Sequence, residues 1–330
     1  MKDVAAVAGV SLSTVSRVVN GSPPVAPELA VKVQRAVELL GYRHNHTAGT
    51  LRRANRLSAS LGLIFEDVSN PFFSAIHRGV EEVARTRSVV TFAGSSDEEP
   101  ARERELIESL LARRVDGLIV VPTASDHSYL LRDVANGTAV VFVDRPPQSI
   151  DADCVLSDNR TGAEAAVAHL IAHGHRRIAF IGYPPVLHTS AERLTGYRDA
   201  LRRAGIAEEL VHYPIEPGAA YSTAVSLLEA SDGPTALFTS QNLITVEVLR
   251  ALHRLGRQHE IALVAFDDIV LAGSIEPAVT VAAQNPLGLG RAAAELLFSR
   301  LDGHAGPSRR VVLGVEVIAR GSGELPPVTG

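Results

Sequence analysis

From residue 58 onward the chain repeats one pattern: an apolar run of four to seven residues, then a helix-length amphipathic stretch. LGLIFE, SVVTFAGSS, DGLIVVPT and AVVFVDRP are runs of this kind early in the series; RRIAFIGYP, ALFTS, ALVAFDD and TVAAQN come later. Segments such as PARERELIESLLARR, RTGAEAAVAHLIAHG and SAERLTGYRDALRRAG separate them. Continuous apolar strands alternating with helices predict doubly wound parallel sheets, covered by helices on both faces. There are too many strands for one small sheet. Two similar α/β lobes are expected, with ligand held at the strands' carboxyl ends, facing a cleft.

Residues 1–42 have a different texture and read as wholly helical. Val4, Val7 and Ala8 make a stripe at helical spacing, and Gly9 ends it. Ser11 is a good N-cap for a second helix, which Asn20-Gly21 stops. Pro27-Glu28 starts a third, with Leu29, Ala30, Val33, Val37 and Leu40 as its apolar face and Gly41 as its end. Three short helices with a glycine in the first turn are a helix-turn-helix pattern. The second helix of that motif enters the major groove by its N-terminal end. Ser11, Thr14 and Ser16 are short enough to bond phosphates without holding the helix away. Leu12 and Ser13 lie at the leading edge, and Arg17 reaches a guanine. Val15, Val18 and Val19 face the module's own core. The alternative for these residues is an ordinary capped surface helix.

Charge separates the two regions. Residues 1–56 hold eight basic and three acidic side chains, a net +5, against −10 for the rest and −5 for the whole. A cationic front end fits a polyanionic partner. Residues 43–57, RHNHTAGTLRRANRL, are basic and polar, with an isolated Leu51 before paired arginines. Gly49 weakens any helix there, so the segment is expected to order on a partner. A leucine among arginines fits a minor-groove wedge; the alternative is a solvated linker. His44 and His46 have no further ligands nearby, so no metal site is expected.

Other classes are disfavoured. No run of 18 apolar residues indicates a membrane span. MKDVAAVAGVS lacks the long apolar stretch of a secretory signal, which points to a cytoplasmic protein. Cys154, the single cysteine, permits no intrachain disulfide and reads as an inert thiol in an apolar strand. GLGRAA at 288–293 fits G-x-G-x-x-A, with Glu316 downstream. It lies late in the chain, away from an opening strand, so a dinucleotide-binding enzyme is not expected. No Ser/His/Asp set or Walker loop is found. HGH at 173–175 reads as a polar helix end. The chain is therefore expected to have no catalytic residues, cofactor or metal. An exported sugar receptor would share the two lobes but not residues 1–57.

In order along the chain, KDVAAVAGVSLSTVSRVVNG, ELLGYRHN, AGTLRR, DVSNPFF, RRVDGLIVVP, VVFVDRP, SDNRTGAEAAVAHLIAHGHRRIAFIG, ERLTGYRDAL and VAFDDI resemble the LacI/GalR family of bacterial transcription regulators. The resemblance covers essentially the whole chain. It implies a small all-α helix-turn-helix headpiece (1–45), a hinge helix or linker (46–57) and a two-lobed α/β core like periplasmic sugar-binding proteins (58–330). The lobes would be discontinuous, about 58–156 with 286–310 and 157–285 with 311–330. A homodimer would bind a pseudo-palindromic operator, probing it with Leu12, Ser13 and Arg17 as base readers. Ser11, Thr14, Ser16 and Asn20 would contact phosphates, and Leu51 would insert at the operator centre. The C-terminus has no leucine heptads, so no coiled-coil tail is expected.

The resemblance also places an effector between the lobes. Phe72 and Phe73 would pack on it, and Asp144, Arg193 and Asp267 would bond its polar groups. Gln241 and Asn242 stand where many relatives have Asn-Asp, so an amide replaces one carboxylate. Ile215 stands near a position that is aromatic in some relatives. The alternatives are lobe core for the phenylalanines, strand-end capping for the aspartates and a surface helix cation for Arg193. The expected function is a sequence-specific transcriptional regulator, a repressor, modulated by a sugar or sugar derivative. Control by a nucleobase, a nucleoside or a protein corepressor is the alternative.

Overall fold

The computed structural model describes residues 1–19, 25–42, 58–214, 216 and 218–328. The chain divides into two compact units, Met1–Ser58 and Ala59–Gly330. The first contains α1 (Lys2–Ala8), α2 (Leu12–Val19) and α3 (Pro27–Leu39). Gly9 ends α1 in the left-handed conformation, at φ 65°. The Ser11 hydroxyl accepts the Thr14 N–H at 3.1 Å and so opens α2. Val4, Ala8, Val15, Val33 and Ala36 form the core of this unit, with Val18, Val19 and Val37 partly buried against it. Val7 and Leu40 are exposed instead of inward, and Ala36 is buried where no core residue was expected. Three short helices enclose only a narrow stripe on each, and Ala36 falls within that stripe. The Asn20-Gly21 stop lies outside the described residues.

The second unit begins with β1 (Ser60–Phe65), α4 (Pro71–Thr86), β2 (Val90–Ser95), α5 (Pro100–Ala112) and β3 (Gly117–Val120). A 3₁₀ turn leads into α6 (Leu131–Ala135), then β4 (Ala139–Val143) and β5 (Asp153–Ser157). The next stretch repeats the plan: α7 (Asn159–Ala172), β6 (Ile178–Ile181), α8 (His188–Arg203), β7 (Leu210–His212) and α9 (Ala219–Glu229). It continues through β8 (Ala236–Thr239), α10 (Asn242–Leu255), β9 (Ala262–Phe266) and β10 (Thr280–Ala283). Last come α11 (Pro286–Leu301), β11 (Arg310–Leu313) and β12 (Glu316–Ile318).

Two six-stranded sheets result, ordered β11-β5-β4-β3-β1-β2 and β12-β10-β9-β8-β6-β7. All pairings are parallel except β10 with β12. Their central strands are buried end to end, as apolar runs covered on both faces must be. The chain crosses between lobes after β5, after β10 and after β11. The third crossing departs from the expected boundary at 310/311. Arg310 to Leu313 pair with Cys154 to Ser157, so β11 belongs wholly to the first sheet and the crossing falls at Gly314-Val315. RVVLGVEVI reads as one strand pattern, and only pairing partners divide it. Among the described residues, no helix is long and apolar enough to cross a membrane.

Two helix pairs hold the lobes' outer layers, α4 with α11 and α7 with α8. A methyl on Gly290 would lie 2.0 Å from the Ile76 carbonyl oxygen. The second glycine of GLGRAA therefore serves close helix packing, while the first, Gly288, donates its N–H to the Asn285 cap at 2.8 Å. His175 is fully buried; its Nε2 donates to the Leu325 carbonyl at 2.8 Å and its Nδ1 meets the Thr235 hydroxyl at 2.9 Å. The first histidine of HGH closes α7 as the polar helix end expected, while the second, His175, is buried and ties the C-terminal segment to the second lobe.

Candidate functional site: a charged cavity between the lobes and an exposed helix

The carboxyl ends of the two sheets meet at a cavity of about 200 Å³. Phe72, Phe73, Asp144, Arg193, Gln241, Asn242 and Asp267 all line it. Residues up to 195 positions apart are gathered because β1, β4, β8 and β9 all end on this side.

Each polar residue is set by its element. Asp144 directly follows β4 and Asp267 directly follows β9, both with left-handed backbone at φ 71° and 72°. Aspartate tolerates that conformation better than most residues. Asn70 caps α4, its side-chain oxygen accepting the Phe72 N–H at 3.0 Å. Gln241 caps α10 through the Leu243 and Ile244 N–H groups. Between these caps the Asn242 side-chain N–H donates to Asn70 Oδ1 at 2.7 Å, linking the two lobes directly.

Arg193 is 6% exposed and so is no surface cation. Its Nε donates to Asn159 Oδ1 and its Nη1 to the Ser240 carbonyl, both at 2.7 Å. The guanidinium lies 4.0 Å over the Phe266 ring, with Asp267 Oδ2 at 3.9 Å. Burial pushes its pKa down, against the pull of Asp267 and Asp144. Asp267 accepts from Gln284 Nε2 at 2.6 Å and from the Asn242 N–H at 3.4 Å. Phe73 is 3% exposed and packs on Phe65 in the first lobe's core, while half-buried Phe72 meets it edge-on. Phe73 is thus both core and cavity wall.

The sequence reading missed a second cluster. Arg145 donates to Glu66 at 2.8 Å, to Glu98 at 2.5 Å and to the Pro122 carbonyl at 3.3 Å. Its Nε is 3.5 Å from Asp144 Oδ2. Glu66, Glu98, Asp144 and Arg145 all line the cavity. Burial pushes the Glu66 carboxyl up to about 7; Arg145 opposes that, and Glu98 and Asp144 add to it. Burial also raises Asp144, again against Arg145. A polar residue closing an apolar strand, as Glu66 does after LGLIF, was the available signal; Glu98, in a loop, had none.

In the helical unit, Ser11, Leu12, Ser13 and Arg17 are exposed, and Thr14 and Ser16 are half-buried. The Ser11 hydroxyl lies 2.8 Å from those of Ser13 and Thr14. Asn20, Leu51, Gly49, Ile215 and the expected hinge 46–57 lie outside the described residues.

Known proteins match at both ends of this architecture. Residues 1–45 match the family described as bacterial regulatory proteins, lacI family, and 167–323 match a periplasmic binding protein-like domain. The HTH-type transcriptional regulator PtxS of Pseudomonas plecoglossicida is 34% identical over 329 residues, spanning 98% of this chain and 95% of the relative. A structure of the transcriptional regulator CelR in complex with cellobiose superposes with TM-score 0.71 at 30% identity, covering 97% of this chain and 98% of that one. The lac repressor dimer bound to operator and the anti-inducer ONPF shares the fold, with TM-score 0.83 at 24% identity and coverage of 97% and 98%. A helix-turn-helix unit joined to two parallel α/β lobes, matched over nearly its whole length, places this chain in the lacI family of bacterial transcriptional regulators.

Proposed function

We propose that this regulator is a cytoplasmic repressor that binds a pseudo-palindromic operator as a homodimer. A sugar or sugar derivative held between the lobes sets its affinity for that DNA. The observation that carries the effector half is the cavity itself. Aromatic walls, two guanidiniums, four carboxylates and three side-chain amides converge where open α/β sheets hold ligands. The CelR relative, 30% identical, is a complex with cellobiose, a sugar.

A ligand touching both lobes favours the arrangement in which they are closed. By linkage, operator changes ligand affinity by the same factor that ligand changes operator affinity. A second copy of the chain is a fitting occupant for two apolar faces of the core. Val90 and Phe92 are more than half exposed on β2, an edge strand, and Val246, Val270 and Leu271 are exposed on the second lobe. On α2, exposed Arg17, Leu12 and Ser13 are the proposed base readers. Ser11, Thr14, Ser16 and Asn20 are the proposed phosphate contacts, and Leu51 is the proposed wedge.

The test is selection of preferred duplexes from genomic fragments, followed by binding measurements with and without sugars and nucleosides. A preferred fragment whose binding weakens steeply with salt is expected. Arg17→Ala should cost about 1–3 kcal/mol and relax preference at one base pair. Equal loss on every sequence would remove Arg17 from base reading, and no preference over random duplex would sink the proposal.

A further inference from the structure

We infer that the effector is a hydrogen-bond-donating polyol with no acidic group: a neutral sugar or an amino sugar, and not a sugar acid or sugar phosphate. The inference rests on the cavity being the effector site. Its first support is charge balance. Glu66, Glu98, Asp144 and Asp267 face two guanidiniums, Arg145 and Arg193, and among the described residues no lysine or histidine lines the cavity. Both cations are held by protein acceptors, with Arg145 Nε buried, without a hydrogen bond and facing Asp144. Arg145 serves Glu66, Glu98 and the Pro122 carbonyl, with Asp144 at 3.5 Å. Arg193 serves Asn159 and the Ser240 carbonyl, with Asp267 at 3.9 Å. Carboxyl groups outnumber the cations four to two, and Glu66, pushed up to about 7 by burial, adds its charge to that excess only above that pH.

The second support is an acceptor without a donor. Asp144 is 3% exposed, and its Oδ1 takes no hydrogen bond. A buried carboxylate oxygen on a cavity wall is satisfied by an incoming hydroxyl or ammonium, and an incoming carboxylate or phosphate meets it as a like charge. The same surplus favours an amine over the hydroxyl it replaces. The burial of Asp144, Arg145, Arg193 and Asp267 intensifies both effects, because little water screens these groups.

Isothermal titration of the full-length protein with matched sets tests this: glucose, glucosamine and gluconate; ribose and ribose 5-phosphate; cellobiose and cellobionate. In at least one set the neutral or amino member should bind, with its acidic counterpart at least ~10-fold weaker. An acidic member that binds as tightly as its neutral parent overturns the inference and leaves the cavity as the effector site. If no member of any set binds, the sugar reading itself fails, and operator selection, measured separately, decides whether the regulator reading survives. Glu98→Gln, which removes one surplus charge, should narrow the gap between neutral and acidic members. A gap that stays the same assigns the discrimination to shape and overturns the electrostatic account.

Discussion

Asp144 and Asp267 hold the same place in two different sheets. Each follows the third strand of its sheet's order, each has left-handed backbone, and each N–H reaches the neighbouring strand, at Val155 (2.9 Å) and Ala282 (3.0 Å). Their side chains differ. Asp267 accepts from Gln284 and from the Asn242 N–H, whereas Asp144 has a bare oxygen and a pKa raised by burial. Asp144→Asn should therefore fold as stably as the parent or more so, since it removes a buried charge and keeps a residue suited to that backbone. Asp267→Asn should lose about 1–3 kcal/mol, because its new amide faces donors already in place. Urea denaturation compares the two, and the reverse order would contradict this assignment.

Glu66 predicts a pH dependence. Its carboxyl is pushed up to about 7 from 4.5, first by burial, with Glu98 and Asp144 adding and Arg145 opposing. The native chain therefore keeps a proton that the unfolded chain releases. That contribution is complete below 4.5 and is lost as pH rises through 7, an effect of up to about 3 kcal/mol. Glu66→Gln should be the more stable protein above neutrality, with the difference shrinking as pH falls. Buried His175 and half-buried His188 and His212 are shifted below 6.5 by desolvation and act in the opposite sense, losing stability as pH falls. Melting both proteins across the range and taking their difference isolates Glu66; a flat difference would refute the shift.

The amide pair Asn70–Asn242 is a direct tie between lobes. Asn70 also caps α4, so Asn242→Ala is the cleaner probe. Losing the pair's two bonds, at 2.7 and 3.4 Å and together worth about 1 kcal/mol, should raise the radius of gyration of the liganded protein and weaken effector binding roughly fivefold. The first is the readout specific to closure, because Asn242 also lines the cavity. Titration calorimetry and small-angle scattering read the two effects. Unchanged values in both would leave the pair without a role in closure.

Close helix contacts recur in both lobes. A methyl on Gly79 of α4 would lie 2.2 Å from the Leu287 carbonyl oxygen, and one on Gly196 of α8 would lie 2.2 Å from that of Arg160. Neither neighbour is a side chain that can swing away. Gly79→Ala and Gly196→Ala should each destabilise the core by about 1–3 kcal/mol or more. Scanning calorimetry should show the core transition fall while that of the helical unit stays in place. No change in the core transition would mean that the helices separate at little cost.

Much of this was legible in sequence because it is short-range. Gly9 ends a helix and Ser11 starts one through bonds spanning three or four residues. The apolar runs of β1, β4, β8 and β9 are contiguous, so their ends, and the aspartates after two of them, could be found by reading along the chain. The family's motif order then brought Phe72, Arg193 and Asp267 into one candidate site.

What the chain alone settled was the kind of parts: a cationic three-helix unit and strands that must be covered on both faces. Tertiary structure decided which parts meet. Glu66 and Glu98 reach Arg145 across 79 and 47 positions, and Asn70 reaches Asn242 across 172. Those distances close only once strand order is fixed, and strand order depends on packing between helices rather than on local preference. The same holds for β11, which is divided from β12 by its pairing partners and by nothing in its own residues.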